Sequence, residues 1–233
     1  LAELEARQGA IAELVDDGDT VQGGIGSLGA AVFGALSGHS DLGVHTGMIT
    51  DGVLSLIDKG VVTGSRKQID TGMAVAGTAL GSSDLYRRAA HLPLLFRPTS
   101  YTHAPQTLSQ LSSLVAVNFA IEVDLTGQVG AEMSRGTYLG AVGGQVDFAR
   151  AAALTGKRSI VALRSAVRGR SSIKARLDEG VVTTARADVD CVVTEHGIAH
   201  LRGQPLAERR RRLIAIAAPE FREQLRHQVR VAS

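Results

Sequence analysis

The sequence predicts an α/β fold, a mostly parallel sheet flanked by helices, and three observations carry that prediction. Short apolar, strand-like runs alternate with segments of helical period. Two of those runs, from Leu114 and from Ser159, are apolar enough at successive positions to be buried on both faces, as strands of a parallel sheet are. Glycine is abundant, at 27 residues, while aromatics make up 3% of the chain with no Trp. That composition favours tight strand-to-helix turns over an aromatic-rich sandwich or a base-stacking surface.

The elements follow in order. Ala2 to Leu14 has helical spacing and is ended by Asp16-Asp17-Gly18-Asp19. Thr20-Val21-Gln22 reads as a strand entering the glycine loop Gln22-Gly23-Gly24-Ile25-Gly26. Leu28 to Leu36 is a second helical segment, broken by Ser37-Gly38-His39-Ser40, and Leu42 to His45 is the next strand. This β-α-β unit requires parallel strands. Asp51 to Lys59 is a helix closed by Gly60, Gln68 to Ala79 a glycine-containing strand region, and Ser82 to Ala90 a helix capped by Ser82 or Ser83. Two prolines make Leu92 to Thr99 an edge or connecting segment.

Ala104 to Ser112 is helical, Leu114 to Ile121 a buried strand, and Glu122 to Leu125 alternates before a turn at Thr126-Gly127. The second glycine loop, Ala141-Val142-Gly143-Gly144, opens a helix from Gln145 to Leu154 that stops at Gly156. Ser159 to Leu163 is a strand, and Arg164 to Lys174 a basic loop whose Arg164, Arg168, Arg170 and Lys174 either pair with phosphates or are solvated. Val181 to Thr183 and Val189 to Val193 are further strands; Pro205 to Ile216 and Pro219 to about Val231 are the closing helices.

The formal net charge of +2 implies no nucleic-acid partner. No apolar run reaches the roughly 18 residues that a membrane-spanning helix needs, so no membrane partner is expected. The lone Cys191 cannot form an internal disulfide, and a buried thiol in a reducing cytoplasm is the expectation.

Each glycine loop follows an apolar or strand-like segment and aims a helix N-terminus at whatever anion approaches. Gly24-Ile25-Gly26-Ser27-Leu28-Gly29 matches the dinucleotide pattern GxGxxG, but no acidic residue ends the strand Leu42 to His45, where the ribose would need one. A structural turn or a different phosphate-bearing ligand remains. His196 and His200, four apart with Glu195 adjacent, lack a third zinc ligand of suitable spacing, and no metal is expected. Arg209 to Arg212 lies in an amphipathic helix and reads as a solvated face. Glu122 and Asp124, at i and i+2, share one strand face and serve either as base or nucleophile or as structural acceptors. Asn118 brings an amide into the apolar run, to satisfy backbone groups or a ligand carbonyl.

Several segments, in order along nearly the whole chain, resemble the acetyl-CoA hydrolase/transferase family of class I CoA-transferases. They are Gln22 to Gly26; His45-Thr46 with Met48-Ile49 and Asp51-Gly52; Asn118 with Glu122 to Val129; Val142 to Phe148; Thr183 to Val189; and Val192 to Gly197 with Leu201-Arg202-Gly203. The resemblance implies a CoA-transferase-type α/β domain spanning residues 1–233, the C-terminal half of a protein whose related N-terminal domain or subunit is its partner. It implies acyl-CoA and a small carboxylic acid as substrates, coenzyme A as cosubstrate with no permanently bound cofactor, and a homo-oligomer.

It also implies covalent catalysis: a glutamate attacks the acyl-CoA, and a mixed anhydride gives way to a glutamyl-CoA thioester. Gly143, Gly144 and Gln145 would approach CoA and Gln22 to Gly26 would line the acyl side, with Gln22, Gly24, Gly26 and Asn118 counted among the CoA-binding candidates. The family's nucleophile follows His-Thr. Here that position is Gly47, and Ala141 replaces the first glycine of the family's Gly-x-Gly-Gly loop. Four readings stay open: thioester hydrolysis by activated water, CoA-ester binding without turnover in a regulatory subunit, use of another carboxylate such as Glu122, or a glutamate from another domain or subunit.

Overall fold

The computed structural model describes residues 9–24, 32–134, 136–177 and 180–231. Strands β1 (Thr20–Gly23), β2 (Gly43–Ile49), β3 (Ala74–Ala79) and β4 (Leu94–Phe96) follow one another outward to one edge of an eight-stranded sheet. The chain then returns to the opposite side of β1 as β5 (Leu114–Phe119). Short pairs follow: β6 (Glu122–Asp124) against β7 (Val129–Gly130), and the hairpin of β8 (Met133–Ser134) and β9 (Thr137–Tyr138). β10 (Ser159–Ala162) joins the large sheet beside β5. β11 (Ala166–Val167) and β12 (Arg170–Ser171) form a hairpin, and β13 (Ile173–Lys174) runs parallel to β6. β14 (Cys191–Thr194) and β15 (Gly197–His200) complete the large sheet. Every pairing within it is parallel except that of β14 with the edge strand β15.

The sheet is covered on both faces, and strand alternation assigns its side chains to them. Val115 and Val117 of β5, Ile160 and Ala162 of β10, and Cys191 and Val193 of β14 join one core with Ile11, Phe33 and the helix α1 (Asp51–Asp58). Leu114 and Ala116 point the other way, onto Leu108, Phe148, Ala151 and Ala152. Those residues come from α4 (Pro105–Leu108) and α5 (Gln145–Leu154). Val161 and Val192 pack on Leu213, Ile214 and Leu225, from α6 (Leu206–Ala215) and α7 (Arg222–Val231). Between α1 and α4 come α2 (Ser83–Arg88), whose N-terminus is capped by the Ser82 hydroxyl at 3.3 Å from Leu85 N, and the single turn α3 (Thr99–Thr102).

The expected helices Ala2 to Leu14 and Leu28 to Leu36 lie partly outside the described residues; most of the other expectations hold, and the exceptions are local. β2 continues four residues past His45 to Ile49, so Gly47 lies inside a strand. The Gln68 to Ala79 strand is reduced to β3, because the chain before it winds around Lys67, whose ammonium donates to the Val44 carbonyl at 3.2 Å and the Met73 carbonyl at 2.7 Å. Arg164 to Lys174 is not a simple loop but contains the β11–β12 hairpin and β13. Val181 to Thr183 is no strand: the Thr183 and Thr184 amides both donate to the Val129 carbonyl, at 2.7 and 3.2 Å, which leaves a single bridge instead of a ladder. His196 and His200 share no helical face, since Gly197–His200 is the strand β15 and His200 Nδ1 lies 3.2 Å from the Cys191 sulfur. That sulfur is fully buried, and its burial pushes the thiol up to about 12.

Candidate functional site

In an open parallel sheet, ligands bind outside the carboxyl ends of the strands where the strand order reverses. Here the reversal falls between β1, which continues to β2, and β5, which continues to β10. The two amides singled out from the sequence meet across it. Gln22 Nε2 donates to Asn118 Oδ1 at 3.3 Å, both side chains are buried, and among the described residues Gln22 Oε1 and Asn118 Nδ2 have no protein partner. A free amide donor and a free acceptor, buried together, are what a ligand carbonyl or amide would satisfy. Gly24, in the next turn, donates its N–H to the Val117 carbonyl at 2.8 Å, so that group closes the strand end. Gly26 lies outside the described residues, as does most of the GxGxxG segment.

Gly47 sits one strand over. Thr46, immediately before it, donates its hydroxyl to the Gly23 carbonyl at 3.3 Å, locking β2 to the end of β1. On the other side β3 presents Gly77, where a Cβ would come within 3.0 Å of the Gly47 carbonyl oxygen. Above these glycines stands a residue that no spacing pattern singles out, His103, at the end of α3. A Cβ on Gly47 would be 3.3 Å from His103 Nε2 and 3.4 Å from Cε1. The same ring closes against the second glycine loop: a Cβ on Gly144 would be 2.5 Å from His103 Cδ2, closer still to Nε2, and 3.2 Å from Phe148 Cε2.

The two glycine positions are therefore linked through one imidazole. Its ring packs at 4.8 Å, tilted 59°, on Phe148, and its Nδ1 is 2.8 Å from the Thr102 hydroxyl. Burial holds its pKa below the usual histidine value, opposed by the charge of Asp147.

His45 anchors the turn that carries this ring. Its Nε2 donates to the Thr102 carbonyl at 3.1 Å from a fully buried position, while Nδ1 has no partner among the described residues. Burial, helped by the nearby Lys67 charge, lowers its pKa to about 4, so the ring is neutral at ordinary pH.

At the second loop, Gly143 has φ +57, a left-handed conformation that glycine adopts without cost, and Gly144 precedes the first residue of α5. Among the described residues no side chain caps that helix, which leaves its first N–H groups without a capping acceptor. Gln145 reaches across to Thr184, donating through Nε2 to Oγ1 at 3.1 Å. His103, Asp147 and Arg150 line a cavity of about 200 Å³ between α4 and α5.

Glu122 is placed differently from the Gly47 cluster. It lies on β6, in the small sheet with β7 and β13, paired to Lys174 Nζ at 3.3 Å. Its neighbour Asp124 is a structural acceptor, bonded through Oδ1 to the Thr126 amide at 2.8 Å, the Thr126 hydroxyl at 2.7 Å and the Gln128 amide at 3.1 Å. The arginine run divides: Arg211 and Arg212 pair with Glu208 at 2.6 Å, whereas Arg209 donates to the carbonyls of Gln204, Thr126 and Arg186.

A parallel sheet with a glycine-lined site at its reversal point defines a class of ligand-binding α/β domain. Comparison with known proteins gives the family. The acetyl-CoA hydrolase/transferase C-terminal domain matches residues 81–229. The 4-hydroxybutyrate coenzyme A transferase of Clostridium kluyveri is 41% identical over 219 residues, 92% of this chain and 51% of that protein. The crystal structure of RipA from Yersinia pestis superposes with a TM-score of 0.93 at 37% identity, over all of this chain and 53% of that one. A 4-hydroxybutyrate CoA-transferase structure from Porphyromonas gingivalis gives 0.85 at 38% identity, over 98% of this chain and 56% of that one. The chain belongs to the acetyl-CoA hydrolase/transferase family, and it spans about half the length of the relatives it matches.

Proposed function

We propose that this chain supplies the CoA-thioester-binding half of an acyl-CoA-processing enzyme that acts at the thioester carbonyl without forming glutamyl-CoA. One observation carries the reading: the strand position where the family resemblance puts the nucleophilic glutamate is Gly47, and a histidine ring stands 3.3 Å from where its Cβ would be. A hydrogen atom cannot attack a carbonyl. What surrounds it suits a bound thioester: the glycine loop at Gly143 and Gly144 with the uncapped start of α5 for CoA, and the unpartnered amide groups of Gln22 and Asn118 for the acyl side. Gly24 and Gln145 complete that proposed lining. Water is then the nucleophile, and hydrolysis to a carboxylate and free CoA is the reaction. Relatives are named as CoA-transferases, among them a butyryl-CoA:acetate CoA-transferase.

The test uses the full-length protein that carries this chain. It is expected to release CoA from short acyl-CoA thioesters, to transfer none to acetate, and to yield no enzyme-bound thioester on borohydride or hydroxylamine treatment. A trapped adduct on any carboxylate of this chain contradicts the proposal, and one on Glu122 identifies that residue as the nucleophile. CoA binding in a calorimeter with no turnover favours a non-catalytic CoA-ester-binding subunit instead.

A further inference from the structure

We propose that His103 is the general base that activates the hydrolytic water, from the space vacated by the missing carboxylate at Gly47. The inference rests on the hydrolytic reading above and adds the residue that carries out its proton transfer.

Three features of the geometry support it. The ring edge carrying Nε2 and Cε1 faces the Gly47 backbone, and Nε2 is also the ring atom nearest the space over Gly144, so one nitrogen addresses both glycine positions. Among the described residues that nitrogen has no hydrogen-bond partner, whereas Nδ1 is engaged by Thr102. The Thr102 hydroxyl, 2.8 Å from Nδ1 and 3.5 Å from the Pro98 carbonyl, has the lone pairs to accept from the ring. In this proposal the proton of the neutral ring lies on Nδ1, against the Thr102 hydroxyl, and the lone pair on Nε2, which faces the glycines. His103 also lines the cavity between α4 and α5, which gives water a route to the ring. The titratable and charged groups around it are Asp147 on α5, His45 on β2 and Arg150 along the cavity. Burial keeps the ring neutral near pH 7, the form a base requires.

The step balances without a further reactant. A water proton passes to His103 Nε2 as the water oxygen bonds to the thioester carbon. The tetrahedral oxyanion then collapses with cleavage of the C–S bond, and the imidazolium returns its proton to the departing CoA thiolate. Carboxylic acid and CoA thiol leave, and the ring is neutral again.

The experiment compares the full-length wild type with His103→Gln, His103→Ala and Thr102→Val for acyl-CoA hydrolysis across pH, with CoA binding measured in parallel. His103→Gln is expected to lower kcat by about 100-fold or more with little change in KM, and to lose the wild type's rise of kcat with pH. Added imidazole should restore part of the rate to His103→Ala. Thr102→Val, which leaves the ring in place without its Nδ1 partner, should lower kcat while CoA binding is retained, so the proposal does not depend on the His103 variants folding. If His103→Gln or Thr102→Val hydrolyses acyl-CoA at the wild-type rate with the wild-type pH profile, the role of His103 is overturned and hydrolysis stands. If the wild type itself releases no CoA, both the reading and the inference fall.

Discussion

Replacing Gly144 with Ala isolates the contact on which the site depends. Gly144 has φ −91, a conformation any residue adopts, so the substitution brings no backbone strain and acts only through its added methyl. That methyl would stand 2.5 Å from His103 Cδ2, where carbon–carbon contacts settle at roughly 3.5 to 4 Å, so the imidazole must retreat by roughly 1 Å. Retreat is resisted by the Thr102 bond at 2.8 Å and by the Phe148 ring at 4.8 Å. Overpacking of this kind costs about 1–3 kcal/mol, and a displacement near 1 Å of a group in the reaction path costs about 100-fold in rate.

The assay is a double-mutant cycle read by urea melts. Gly144→Ala alone should destabilise by that amount. In a His103→Ala background the methyl enters the space vacated by the ring, beside Phe148 Cε2 at 3.2 Å. A coupling of about 1 kcal/mol or more between the two positions is expected. Additive effects would refute the claim that His103 fills the gap over Gly144.

Gly47→Glu puts a carboxylate back on β2, where its Cβ meets His103 Nε2 at 3.3 Å and the ring must give by a few tenths of an ångström. The variant should lose about 1 kcal/mol of stability and form a hydroxylamine-sensitive adduct with acyl-CoA that the wild type does not form. His45 contributes to the acid limb of stability. With its pKa lowered from 6.5 to about 4, the unfolded chain binds the proton that the native state refuses in that window. Stability should therefore be complete above pH 6.5 and fall by up to about 3 kcal/mol as the pH drops toward 4, a loss that His45→Gln should remove in melts at graded pH. Asp124→Ala removes the acceptor of three hydrogen bonds in the turn after β6 and should cost about 2–3 kcal/mol by thermal melts, with Asp124→Asn recovering part of it.

The architecture was legible wherever local chemistry and burial agreed. The run from Leu114 is apolar at every position up to Asn118 because β5 lies in the middle of a sheet covered on both faces. The helix from Gln145 to Leu154 was bounded by Gly144 and Gly156, both visible as breakers. Gln22 and Asn118 stood out as amides among apolar neighbours, and the fold brings them together across the reversal point. Their pairing was not legible, because 96 residues separate them and register is a property of the sheet.

His103 was missed for the same reason. In sequence it is an ordinary histidine in a proline-flanked turn, and only tertiary packing sets it between Gly47 and Gly144. The signal that could have raised it was indirect: two glycines at facing positions leave a space that some larger side chain must fill. Val181 to Thr183 misled in the opposite sense. β-branched composition favoured a strand, but the Thr183 hydroxyl donates to Glu132 Oε1 at 2.9 Å and accepts from the Ala131 amide at 2.9 Å, fixing the segment as a connection.

The most direct test of water as nucleophile is a single turnover of acyl-CoA in ¹⁸O-labelled water by excess full-length protein, with both the released acid and the digested protein weighed by mass spectrometry. Direct attack by water predicts one ¹⁸O in the released carboxylate and none in any peptide of this chain. Label in a carboxylate-bearing peptide, Glu122 included, with an unlabelled product acid would contradict it.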